Sequence, residues 1–87
     1  MITGINKVYQ HDGRDLHIQA EDLGTDTAAF EVRVYDKGSV IWLKRIEYDD
    51  LVAEGLSKKE LETRLYAKME KLVHTVEAAI AKGKLDA

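Results

Sequence analysis

The 87-residue chain contains no cysteine and no proline. Without cysteine there is no disulfide, no thiolate metal site and no cysteine nucleophile, so any metal would fall to histidine and carboxylates. Long apolar runs are missing as well. The longest, Val40-Ile41-Trp42-Leu43, is far short of the roughly 20 residues a membrane-crossing helix needs. The opening Met1-Ile2-Thr3-Gly4 has neither the basic nor the apolar segment of a signal peptide, and the expected location is cytoplasmic. Excess basic charge is also lacking: thirteen Lys and Arg against sixteen Asp and Glu leave a net charge of −3. Binding to phosphate backbones calls for a clustered basic patch, whereas Lys37, Lys44 and Arg45 are interrupted by apolar or acidic neighbours. Neither a nucleic acid nor a membrane is expected as partner.

What is present is the composition of an ordinary soluble globular domain, 45% hydrophobic and 33% charged. A chain of this size forms one domain, here residues 1–87, and buries only roughly 60 to 65% of its unfolded surface. Its stability is modest or shared with a partner. Asp12-Gly13 suits a two-residue hairpin, in which both central positions take positive φ. It would join strands at about 5–11 and 14–22. In the second of these Leu16, Ile18 and Ala20 alternate with His17, Gln19 and Glu21, and a period of two sends the two sets to opposite faces. Phe30, Val32 and Val34 alternate in the same way with Glu31, Arg33 and Tyr35, which predicts a third strand at about 28–36. Asp36-Lys37-Gly38 turns the chain into a fourth at about 39–47.

The fourth strand departs from the pattern, because Val40 to Leu43 offers apolar side chains to both faces. Strict alternation would send either Val40 and Trp42 or Ile41 and Leu43 away from the core. Such a strand marks a sheet centre, a second packing layer or a subunit contact. An irregular helical turn between Tyr48 and Gly55 follows. Ser57-Lys58-Lys59-Glu60 has the spacing of a capping box, with Ser57 and Glu60 each serving a backbone donor of the first turn. From there Leu61, Leu65, Met69, Leu72, Val76 and Ile80, flanked by Tyr66 and Val73, recur at threes and fours to Gly83, which predicts an amphipathic helix over about 58–82. The fold class is α+β: an antiparallel meander of three or four strands, covered on one face by this single long C-terminal helix.

Two groups of side chains stand out. Helical spacing sets Glu70, His74 and Glu77 on one side, away from the apolar stripe. Carboxylates around an imidazole bind a divalent metal or tune a base, while an exposed histidine with acidic neighbours explains the same pattern. A metal- or ligand-binding domain built on His17, His74, Glu70 and Glu77 is the alternative function, and no metal or other cofactor is assigned. The second group is His17, Gln19, Glu21 and Asp22 with Arg33 and Tyr35 on the next strand and Trp42 beyond. Arginine, aromatics and hydrogen-bonding groups on one sheet face have the composition of a protein interface; a solvated face with cross-strand ion pairs has it too. The only serines, Ser39 and Ser57, are placed at a strand entry and a helix cap, with no histidine adjacent in sequence for a nucleophile. No glycine-rich phosphate loop occurs. The balance is against an enzyme.

The run His17-Ile18-Gln19-Ala20-Glu21-Asp22-Leu23-Gly24 resembles one met in an uncharacterised family of small bacterial domains. There a similar histidine, glutamine and acidic pair precede a loop, a hairpin and a closing helix. His74, Ile80, Gly83 and Asp86 are similar to that family's helix ending, although Val73 stands in place of a glutamine and Leu85 in place of an aromatic. The resemblance spans roughly residues 5–86 and implies no particular activity.

The expected function is therefore a small interaction or scaffolding domain that self-associates, as a homodimer, or meets another protein through its sheet or helix. The residues assigned to that contact are His17, Gln19, Glu21, Arg33, Tyr35 and Trp42.

Overall fold

The computed structural model describes residues 4–85; Met1 to Thr3, considered above for a leader, and Asp86 lie outside them. Four strands form one antiparallel sheet in sequence order: β1 Gly4–His11, β2 Arg14–Asp22, β3 Ala29–Asp36 and β4 Ser39–Glu47. A short helix, α1 (Asp49–Ala53), leads to the long α2 (Lys58–Ala81). The β1–β2 and β3–β4 hairpins close through Asp12-Gly13 and Lys37-Gly38. Both residues of each turn have positive φ, 51° and 74° in the first and 53° and 84° in the second. This is the turn whose twist matches that of the flanking strands, and glycine at its second position adopts it without strain.

Alternation divides the sheet as the sequence predicts. Leu16, Ile18 and Ala20 of β2 and Phe30, Val32 and Val34 of β3 are buried under α2, which contributes Leu65, Met69, Val73, Val76 and Ile80. Tyr48 and Leu51 close one end of this core. Each large aliphatic side chain withdrawn from water in this way stabilises the fold by about 1.5–3 kcal/mol. Tyr66, placed with the apolar stripe in the sequence, is exposed instead; it lies on the stripe's edge, beyond the sheet's reach.

The ends of α2 are set by local chemistry. The Ser57 hydroxyl accepts from the Glu60 backbone N–H at 3.2 Å, one of the two bonds of the expected capping box and the only one formed among the described residues. At the other end Gly83 N–H donates to the Ile80 carbonyl (3.0 Å) and Lys84 N–H to that of Ala79 (2.9 Å). This pair of bonds is the Schellman ending, which satisfies carbonyls the helix leaves over.

The fourth strand spans the expected residues but does not lie at the centre of the sheet. β4 is an edge, paired only with β3, and α2 packs across β1, β2 and β3 with little reach to β4. A bulge opposite Val34 and Tyr35 leaves Ile41 without a cross-strand partner, since Val34 faces Trp42 and Tyr35 faces Val40. The extra residue resets the alternation. Trp42, opposite buried Val34 and packed against the core, lies on the helix side, and Ile41 lines a cleft there with Leu16 and Ile80. Val40 and Leu43 face the other way.

Candidate interaction surface

The face of the sheet turned away from α2 is built in rows, because residues directly opposite in antiparallel strands share a side. One row is Val8, His17, Tyr35 and Val40; the next is Asn6, Gln19, Arg33 and Leu43; the third is Gly4, Glu21, Glu31 and Arg45. Five of the six residues assigned from the sequence, His17, Gln19, Glu21, Arg33 and Tyr35, therefore lie together in the middle of one open face. Trp42 does not join them. The bulge carries it to the opposite side, so a contact centred on this face excludes it.

Apolar side chains flank that polar centre. Val8 is 54% exposed on β1, and Val40 and Leu43 are 50% and 51% exposed on β4. The period of β1 is too weak to single out Val8, and the bulge that turns Val40 and Leu43 outward has no signature in the alternation. His17, Gln19, Tyr35 and Gly38 line a shallow depression at one end of the face.

Arg33 organises the charges. Its guanidinium donates to Glu21 at 3.1 Å and to Glu31 at 2.8 Å, and those two hydrogen bonds, Glu21's first, hold it above the ordinary arginine pKa. It stays charged at every accessible pH. Glu31 is the direct cross-strand neighbour of Arg45, but its carboxylate is turned to Arg33. Arg45 is left without an ion-pair partner among the described residues, while Arg14 and Arg64 each have one and Arg33 has two. Exposed pairs of this kind contribute about 0–1 kcal/mol, so they shape the face more than they stabilise the fold.

Asp22 has a different task. Its carboxylate accepts from the Gly24 backbone N–H at 3.1 Å and from the Tyr48 hydroxyl at 2.5 Å. The Tyr48 N–H in turn donates to the Ala28 carbonyl at 2.7 Å, and Ala28 N–H donates to the Gly24 carbonyl at 2.8 Å. One buried tyrosine thus fastens the 23–28 loop to the end of β4, with Ala28 held at a φ of 53°. Burial, reinforced by hydrogen bonding to Asp22 and its negative charge, pushes the Tyr48 phenol well above its ordinary pKa. The run from His17 to Gly24 accordingly divides: Ile18, Ala20 and Asp22 serve the fold, and His17, Gln19 and Glu21 point to solvent.

The helix group has modest geometry. His74 Nδ1 lies 3.2 Å from Glu77, whose carboxylate also takes Lys7 of β1 at 3.1 Å. Glu70 joins neither. His17 lies on the far side of the sheet from α2, so the four residues of the alternative metal-binding reading do not converge. Among the described residues no group of three or more histidines and carboxylates is placed to hold a metal ion. Nor is any helix there long and apolar enough to cross a membrane. Compared with known proteins, the chain matches no family model, no curated protein and no solved structure.

Proposed function

We propose that this chain is a small self-associating interaction domain, and that the open sheet face together with β4 is its contact surface. The observation that carries the reading is the composition of that face: an arginine, a tyrosine, a histidine and a glutamine in adjacent rows, rimmed by Val8, Val40 and Leu43 at half exposure or more. Arginine and aromatics with an apolar flank are what protein interfaces concentrate, and exposed apolar patches on a small domain mark such sites. The face has no part in closing the core, which α2 covers from the other side. Sedimentation equilibrium across a wide concentration range tests the reading. A concentration-dependent rise to twice the chain mass supports it, and a monomer throughout removes it.

A further inference from the structure

We infer that the occupant of the open face is a second copy of this chain, packed sheet on sheet about a two-fold axis parallel to the strands. The inference rests on the proposed contact surface and specifies its geometry. With that axis the order of strands reverses across the interface while each row stays level with itself. Val8 then meets the partner copy's Val40, His17 meets Tyr35, Asn6 meets Leu43, and Gln19 meets Arg33, each contact occurring twice. Two further features fit. Arg45, which has no ion-pair partner in its own protomer, lies over the side-chain-free Gly4 of the other copy and beside its Glu21. Glu21 and Glu31 do meet across the axis, but each is bound to Arg33, and four guanidinium groups balance the four carboxylates gathered there.

Two other symmetric arrangements fare worse. An axis across the strands lays the middle row on itself, Arg33 on Arg33, and sets Val8 on Gly4 and Val40 on Arg45, so both valines lose their apolar partners. Edge-to-edge pairing of β4 with its copy meets the bulge at Ile41 and the adjacent cations Lys44 and Arg45, the devices by which edge strands resist pairing. Sheets packed face to face keep their strands within about 30°, so the facing rows stay in register near the axis, with both helices outermost. Four strands about 4.8 Å apart and seven residues long present a face of roughly 19 by 23 Å. Two such faces bury on the order of 1,000 Å², the lower end for a specific interface.

The absence of native cysteine makes the test direct. Val8 and Val40 of one protomer are about 14 Å apart, three strand spacings, and each is farther still from its own twin in the dimer. We expect Val8→Cys and Val40→Cys, mixed and treated with a short bis-maleimide, to give a covalent heterodimer, and neither variant alone to do so. Val40→Glu, at a solvent-exposed position, should weaken the dimer at least about tenfold in sedimentation equilibrium with its circular dichroism unchanged, while Tyr66→Glu on the helix should leave it intact. A dimer that Leu43→Cys alone cross-links, or that Val40→Glu does not weaken, overturns this geometry but leaves self-association standing. A wild-type monomer at all concentrations overturns both.

Discussion

On the helix side of the sheet, β2 and β3 carry Leu16, Ile18, Ala20, Phe30, Val32 and Val34, all buried. One residue along each strand, the same backbone carries His17, Gln19, Glu21, Glu31, Arg33 and Tyr35 to solvent or to partial exposure. The two faces share their hydrogen-bond ladder and differ in what the side chains do. The first set is held by burial, where each removed methylene costs roughly 1 kcal/mol. The second is held by two ion pairs and cross-strand contacts, each worth a few tenths to about 1 kcal/mol. A face that costs so little to alter and contributes so little to folding is available for recognition.

Substitutions can break or sharpen that contrast. The largest effect is expected at Met69, fully buried at the centre of α2's apolar stripe: Met69→Ala should lower stability by about 2–5 kcal/mol in urea unfolding, enough to populate unfolded chain in a domain this small. Tyr48→Phe should cost about 1–3 kcal/mol, because the Asp22 carboxylate then loses a buried donor. The same variant has a pH signature. Folding raises the Tyr48 pKa, so the stability its phenol supplies is fully present below the unfolded value of about 10 and is lost as pH rises above it. The gap between wild type and Tyr48→Phe should be constant up to about pH 10 and shrink beyond. Ala28→Gly should act in the opposite sense, with a gain of about 0.5 kcal/mol, since glycine relieves the positive φ at a cost in unfolded-chain entropy. Smallest of all, His17→Ala and Gln19→Ala should each leave the monomer's stability within about 0.5 kcal/mol of wild type. Losses at those two positions comparable to Met69→Ala would erase the distinction between the faces.

Periodicity explains why so much of the fold is visible in the chain. Period two in β2 and β3 sorts inside from outside, Asp12-Gly13 and Lys37-Gly38 place the hairpins, and Ser57 and Gly83 bracket a helix whose stripe supplies five of the thirteen buried core residues. The same alternation puts His17, Gln19, Glu21, Arg33 and Tyr35 on one face. It fails at Trp42, because a bulge adds one residue and inverts the parity of everything after it; alternation counted along Val40 to Leu43 carries no trace of that insertion. It also misses the Tyr48 and Asp22 pair, whose members are separated by 26 positions and meet only once the loop between β2 and β3 has closed. Arg45 is the converse case. Its pairing with Glu31 follows from register, yet Arg33 on the same strand as Glu31 takes that carboxylate first.

The off-centre seat of α2 has a consequence for how the molecule breathes. β2 and β3 are roofed by the helix and paired on both sides, so their amides exchange with solvent only when most of the domain opens. β4 has one neighbour and almost no roof, and its amides can exchange through a local detachment that leaves the core intact. The strand that carries most of the exposed apolar surface is thus the one with the greatest freedom to adjust its shape to whatever it meets.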